Sequence, residues 1–255
     1  MIKIDDFITE LKKNKLNFCS GVPDSLFKEL CFSFEKKYKK KHVTAANEGS
    51  AVAMGIGYYL SSKKIPIIYM QNSGLGNAIN PLISLADKNV YKTPLFLIIG
   101  WRGELKKNLR DEPQHITQGK ETLNFLKNLN IKYKIINNKS NYKKDIKQLK
   151  NYAQKKNKIV ALIVRKNSFE KKVIKKANGN NKYLFREKIL ELITDKIPKN
   201  SIIVSTTGIL SRELNEIIKK NNLKINYLMC VGGMGHAISV ASGMAKNFSK
   251  KIFCF

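Results

Sequence analysis

The stretch that decides the fold is IPIIYMQNSGLGNAIN, residues 65–80. Residues 65–71 are mostly β-branched, aromatic or apolar, which predicts a buried strand, and the amides and glycines that follow predict a turn into a helix. The same order of elements recurs along the chain and predicts an α/β fold with a parallel sheet. The predicted strands are 17–20, 43–45, 65–71, 94–100, 131–136 and 158–165, and the predicted helices lie near 3–14, 24–38, 48–62, 76–86, 118–129 and 143–156.

The chain divides into three predicted regions. An N-terminal α/β domain covers 1–165, and a linker covers 166–183, where the apolar period is lost. A second α/β domain covers 184–255. Because no helix follows its last predicted strand, and parallel sheets are normally covered on both faces, we expect this domain to be truncated at its C-terminus. Its predicted strands are 202–205, 227–231 and 251–255, and its predicted helices lie near 184–195, 209–221 and 236–247.

The composition excludes several classes of protein. The chain has 255 residues, of which 43% are hydrophobic, and this is enough to form a core. The four cysteines show no C-x-x-C spacing, which disfavours a disulfide scaffold or a zinc site. Apolar runs stay well below the roughly 20 residues of a membrane span, and the N-terminus lacks the apolar core of a secretory signal. We therefore expect a cytoplasmic protein with no membrane partner.

The formal net charge of +29 is of the kind found in nucleic-acid-binding proteins. Only five of the 48 basic residues are arginine, however, and nucleic-acid readers use arginine for bidentate contacts. A lysine excess spread over solvated helix faces accounts for the charge, so we expect no nucleic-acid partner. Tight, salt-dependent binding to generic duplex is the observation that would favour the alternative.

Glu48 opens a predicted helix made almost wholly of small and apolar residues, EGSAVAMGIG at 48–57. A carboxylate in these surroundings is predicted to be buried, and burial costs free energy unless the carboxylate has a partner. The alternative is a first-turn glutamate stabilised by the helix dipole, but the apolar surroundings favour a functional role. The small residues also indicate that another backbone or a second subunit approaches this helix closely.

Further polar residues follow three other predicted strands, where open α/β sheets bind ligands. A turn that enters a helix exposes N–H groups that can hold an anion, although a plain helix cap is the alternative for the first of these turns. The candidates are Asp24 and Ser25 after the first strand, Asn72, Ser73 and Gly74 after the third, and Arg102 and His115 after the fourth.

These segments, taken in order, resemble the thiamine-diphosphate-dependent phosphonopyruvate decarboxylases. The similar segments are GVPDS at 21–25, NEG at 47–49, YMQNSGLGN at 69–77, GWRG at 100–103 and DEPQH at 111–115. The likeness continues with TTG at 206–208, SREL at 211–214 and VGGMGHA at 231–237, which are similar to the start of the family's diphosphate domain. The resemblance implies two thiamine-diphosphate-binding-type domains, a pyrimidine-binding one followed by an incomplete diphosphate-binding one.

The resemblance also implies roles for individual residues. Glu48 is implied to hydrogen-bond a ring nitrogen of the aminopyrimidine and favour its imino tautomer. His115 is the implied acid/base group, because imidazole titrates near neutral pH, and His236 is the second candidate. The implied cofactor-binding residues are Glu48, Asn72, Ser73, Gly74, Thr207, Gly208, Met234, Gly235 and His236. The implied substrate-binding residues are Asp24, Ser25, Asn72 and Arg102.

The implied cofactors are thiamine diphosphate and Mg²⁺. In the family, an acidic Gly-Asp-Gly turn follows the strand that matches 251–255, and it helps to hold the metal. This turn has no counterpart in the sequence, so no residue is assigned as a metal ligand.

The implied reaction is the decarboxylation of phosphonopyruvate to phosphonoacetaldehyde and CO₂ in phosphonate biosynthesis, carried out by a homodimer or larger assembly. Three alternatives stay open. The substrate is sulfopyruvate, or the chain is an inactive truncated remnant, or it is a subunit that supplies only the glutamate half of the site to a complete partner.

Overall fold

The computed structural model describes residues 1–104, 111–171, 184–233 and 235–255. The chain forms two compact units, Met1–Val173 and Ile174–Phe255. The strands of the first unit are β1 Cys19–Gly21, β2 His42–Thr44, β3 Ile67–Gln71, β4 Phe96–Gly100, β5 Lys132–Ile136 and β6 Val160–Val164. They form one parallel sheet in the order β2-β1-β3-β4-β6-β5.

The described part of this unit has α1 before the first strand and five α-helices between successive strands, and two hydrophobic clusters cover the two faces of the sheet. The helices are α1 Ile4–Lys13, α2 Lys28–Tyr38, α3 Glu48–Ser62, α4 Leu75–Ile83, α5 Ile116–Asn128 and α6 Tyr142–Lys156. One face packs against α1, α2 and α6, for example through Phe7 and Phe34. The other packs against α3, α4 and α5, for example through Val52 and Leu126. Burial on both faces explains why β4 is apolar throughout rather than alternating.

The structure confirms the predicted α/β fold with its parallel sheet of six strands, and α3 begins at Glu48 as expected. The helix predicted at 24–38 differs in its first turn. Ser25–Phe27 forms a 3₁₀ turn, and α2 begins only at Lys28. The reason is the Asp24 side chain, which accepts a hydrogen bond from the Leu26 N–H and closes this tighter turn.

The end of the first unit also differs from the predicted boundary at residue 165. Ser168 and Phe169, which fell in the predicted linker, are buried. The Ile2 N–H donates to the Ser168 carbonyl, the Glu170 N–H donates to the Ile2 carbonyl, and the Phe169 ring packs edge-on against Phe7 at 5.0 Å. The segment up to Glu170 therefore belongs to the first unit. The remainder of the predicted linker, 172–183, lies outside the described residues.

The second unit is a smaller α/β structure, also as predicted. Its strands are β7 Ile202–Ser205, β8 Asn226–Met229 and β9 Ile252–Cys254, which form a parallel sheet in the order β8-β7-β9. Its helices are α7 Arg186–Thr194, α8 Ile209–Lys220 and α9 Ala237–Ala245. The central strand β7 is buried along its whole length, whereas β8 is mostly exposed.

The sequence argued against a disulfide scaffold and against a membrane-spanning helix. All four cysteines are free thiols. Across the described ranges, no helix is both long enough and apolar enough to cross a bilayer.

Candidate functional site

The candidate site of the first unit lies at the carboxyl edge of its sheet. β1, β3 and β4 are parallel neighbours, so their last residues, Gly21, Gln71 and Gly100, lie along one edge. The predicted polar residues after these strands are therefore brought to the same edge of the molecule. This is where α/β sheets of this kind bind ligands.

Glu48 is the first residue of α3, at the same edge. The helix is capped by Asn47, whose Oδ1 accepts a hydrogen bond from the Ser50 N–H at 2.9 Å, so the helix must begin here. The Glu48 residue is only 7% exposed, as its apolar surroundings predicted. A carboxylate at this depth needs a hydrogen-bonding partner, and the structure provides one.

The partner is Asn77, in the first turn of α4. Its Nδ2 donates to Glu48 Oε2 at 2.9 Å. On the other side of the carboxylate lies Gly74, where any added Cβ would clash with the Glu48 side chain. Glu48 Oε1 receives no hydrogen bond from the described residues, so it is available to a ligand. The sequence analysis did not single out Asn77, although it lies inside the stretch from which the fold was predicted.

Asn72 uses its side chain inside the protein. Its Nδ2 donates to the Arg102 carbonyl at 2.9 Å and to Thr122 Oγ1 at 2.8 Å, and its Oδ1 accepts from the Arg102 N–H at 3.1 Å. These bonds tie the end of β3 to the end of β4 and to α5. Both polar atoms of the amide are engaged, so Asn72 orders the edge of the sheet rather than presenting free groups to a ligand. Its neighbour Ser73 accepts from Gln71 Nε2 at 2.7 Å.

Arg102 forms a bidentate ion pair with Asp111, a contact that the sequence analysis did not anticipate. Arg102 Nε donates to Asp111 Oδ2 at 2.9 Å, and Nη2 donates to Oδ1. Burial alone would raise the pKa of Asp111, but the hydrogen bonds from Arg102, Gly103 N and Glu112 N hold it well below its ordinary value. The remaining donor, Arg102 Nη1, points to Ser25 Oγ at 3.1 Å.

Asp24 and Ser25 stand at the end of β1. Asp24 Oδ1 accepts from the Leu26 N–H at 3.1 Å, and Oδ2 is buried with no hydrogen-bond donor among the described residues. Burial raises the pKa of Asp24 to about 6, although Leu26 N and Arg102 oppose the rise. Asp24, Ser25 and Lys28 line a cavity of about 250 Å³ between this strand end and α2, which continues to His42 and Tyr69.

His115 is buried at the end of a 3₁₀ turn, Pro113–His115. Its backbone packs against Gly103, which adopts φ +69° and has no room for a Cβ, so only glycine fits there. Burial, and then the charge of Arg102, lower the pKa of His115 below its ordinary value. Its Nδ1 is buried and bonds to nothing in the part of the chain that the structure describes. Burial and the Arg102 charge both favour the neutral form of the imidazole.

The second unit carries the other candidates. Thr207 and Gly208 follow β7, and Gly208 adopts φ +96° with open space around it. Gly235 and His236 precede α9, and Gly235 adopts φ +83°. Met234 lies outside the described residues. Backbone of this kind exposes N–H groups at the end of a strand, which suits the binding of an anion.

Metal ligands were not assigned from the sequence. Among the residues that the structure describes, no group of three or more His, Cys, Asp or Glu side chains is placed to hold a metal ion.

Residues 4–128 match the family model of the thiamine pyrophosphate enzyme N-terminal TPP binding domain. The sulfopyruvate decarboxylase subunit alpha of Methanococcus maripaludis is 32% identical over 118 residues, which are 46% of this chain and 67% of that protein. The same subunit of Methanocaldococcus jannaschii is 36% identical over 110 residues, which are 43% of this chain and 62% of that protein. The chain therefore belongs to the family of thiamine-diphosphate-dependent decarboxylases.

A further relative matches both units. The phosphonopyruvate decarboxylase of Streptomyces viridochromogenes is 26% identical over 268 aligned residues, which cover 99% of this chain and 65% of that protein. Among solved structures, benzoylformate decarboxylase from Polynucleobacter necessarius shares the fold, with a TM-score of 0.52 and 19% identity over 82% of this chain and 39% of that chain. The chain thus spans about two thirds of the length of these curated relatives.

Proposed function

We propose that the chain takes part in the thiamine-diphosphate-dependent decarboxylation of a 2-oxo acid with an anionic tail, namely phosphonopyruvate. The observation that carries the proposal is Glu48, a buried carboxylate fixed at the ligand-binding edge with Oε1 left open. An acceptor of this kind fits the protonated ring nitrogen of an aminopyrimidine. When bound, thiamine diphosphate supplies the nucleophile and the electron sink for decarboxylation.

The residues of the chain have separate tasks in this proposal. Glu48 Oε1 holds a hydrogen bond to the cofactor ring, and its burial strengthens that bond. His115 is proposed to move a proton to or from the product carbon, because imidazole is suited to general acid/base chemistry near neutral pH. In the second unit, the positive-φ turns at Gly208 and Gly235 are proposed to bind the diphosphate, together with Thr207 and His236.

The anionic tail of the substrate requires cations and donors. We propose that Ser25 and Arg102 Nη1, which lie 3.1 Å apart, bind the tail. Lys28 lines the same cavity as Ser25 and supplies a positive charge that is not paired with a carboxylate among the described residues. Asp111 already neutralises much of the Arg102 charge, so Lys28 supplies the further positive charge that an anionic tail requires.

Two acids fit this site. Phosphonopyruvate is favoured by the relative that matches 99% of the chain, across both units. Sulfopyruvate is the second candidate, favoured by the higher identity of the two sulfopyruvate decarboxylase subunits over the shorter stretches that they match. We also propose that a second chain packs on α3, where Gly57 faces open space.

The test measures CO₂ release from each acid by the purified full-length protein with excess thiamine diphosphate and Mg²⁺. We expect turnover of at least one acid, and we expect Glu48→Gln to lower kcat by about 10²–10⁴-fold, because the neutral amide cannot hold the ring proton. Glu121→Gln is the matched control, since Glu121 also accepts from an asparagine but on an exposed helix face. No CO₂ from either acid would refute the proposed function.

A further inference from the structure

We infer that Asn77 is a positioning residue for Glu48: its amide fixes the carboxylate through Oε2, and Oε1 is left without a hydrogen bond from the described residues. This inference rests on the proposed function for its catalytic meaning, but the contact itself is a property of the chain alone. Asn77 Nδ2 donates to Glu48 Oε2 at 2.9 Å, a charge-assisted hydrogen bond between the first turns of α4 and α3.

The backbones of α3 and α4 approach each other closely around this bond. An added Cβ at Gly49 would lie 2.9 Å from the Asn77 carbonyl, and an added Cβ at Gly74 would clash with the Glu48 carboxylate. Two glycines therefore allow the first turns of α3 and α4 to meet. Oε1 of the carboxylate lies against Gly74, and Oε2 accepts from the Asn77 amide, so both oxygens are confined.

Asn77 itself is exposed, whereas Glu48 is buried. An exposed asparagine contributes nothing to the hydrophobic core, so its replacement leaves the packing of the unit intact. Without its donor, the buried carboxylate loses its only hydrogen bond from a described residue and can rotate. A misplacement of about 1 Å at a catalytic group can cost about 10²-fold in rate.

The chain offers a matched control for this pair. Asn124 Nδ2 donates to Glu121 Oε2 at 3.0 Å, in the same amide-to-carboxylate geometry, but on the exposed surface of α5. Asn124→Ala removes the same kind of bond between two residues that have no assigned role in the site. We expect it to leave every measurement below unchanged.

The first measurement uses the ligand-free protein and requires no activity. The side-chain amide signals of Asn77 are identified by NMR from their loss in Asn77→Asp. We expect them to shift in Glu48→Gln and to stay in place in Glu121→Gln, because only Glu48 accepts from Asn77. Amide signals that are identical in Glu48→Gln and wild type would overturn the inference, even if the proposed function also failed.

The second measurement separates positioning from simple structural support. We expect Asn77→Ala to lower kcat by about 10–100-fold with KM changed less than about threefold, at a temperature where its thermal unfolding curve matches that of the wild type. In Asn77→Asp with Glu48→Gln, donor and acceptor are exchanged. The contact is then detected by NMR through the side-chain amide at position 48, while turnover stays low because the carboxylate is no longer at that position. An Asn77→Ala enzyme with wild-type kcat would overturn the inference while leaving the proposed function standing.

Discussion

The buried carboxyl group of Asp24 makes the stability of the first unit depend on pH in a way that one substitution can isolate. Burial raises the pKa of Asp24 from the ordinary 3.8 to about 6. At about 1.36 kcal/mol for each pH unit, this rise corresponds to about 3 kcal/mol of unfolding free energy. Because the folded-state pKa is the higher one, the contribution is complete below pH 3.8 and is lost as the pH rises through about 6.

Asp24→Asn removes this dependence while keeping an oxygen that can accept from the Leu26 N–H. The amide Nδ2 that replaces the unbonded Oδ2 lowers the unfolding free energy by itself. This decrease does not vary with pH, so it cancels when two pH values are compared. The wild type recovers about 2 of the 3 kcal/mol between pH 7.5 and pH 4.5. We therefore expect the variant to lose about 2 kcal/mol relative to the wild type over this interval.

Urea denaturation followed by circular dichroism gives the two unfolding free energies at each pH. Asp6→Asn, on the exposed face of α1, is the control, and we expect its difference from the wild type to stay within about 0.5 kcal/mol at both pH values. Parallel pH profiles for wild type and Asp24→Asn would show that Asp24 is not desolvated in the folded protein, and the argument from its burial would be refuted.

Two further substitutions test contacts that only the structure revealed. Phe169→Ala should lower the unfolding free energy of the first unit, measured in urea, by about 3–5 kcal/mol. Lys166→Ala, on the exposed surface, should change it little. Equal effects of the two substitutions would show that this segment lies outside the folded unit. Asp111→Ala should cost about 1–3 kcal/mol, because it removes the carboxylate that pairs with the partly exposed Arg102 cation. Arg102→Ala combined with Asp111→Ala should recover part of that loss, and additive losses in this double-mutant cycle would contradict the ion pair.

The architecture at the site could be predicted from the sequence because its signals are local. The apolar residues before Asn72 and the glycines after it lie close together in the sequence. Together they predicted β3 and the turn into α4. Glu48 was predicted to be buried from its immediate neighbours for the same reason. Residues whose surroundings are set by their own helix or strand are accessible to this kind of analysis.

Partners distant in sequence could not be predicted in this way. Asn72 bonds to Thr122, 50 residues away, and no pattern in either segment indicates that pairing. Arg102 was expected to be free for substrate, and the aspartate that neutralises it lies nine residues further along the chain. Phe169 was placed in a linker because its flanking residues are polar, and only the bridge to Ile2 accounts for its burial.

The bridge between Ile2 and Phe169 has an evolutionary consequence. It brings the first and last residues of the first unit side by side, so the unit is closed on itself and further chain can enter and leave at one point without crossing the sheet. A module closed in this way can be encoded alone or fused to other sequence with little refolding. Among the relatives, the sulfopyruvate decarboxylase subunits match less than half of this chain, whereas the phosphonopyruvate decarboxylase matches 99% of it.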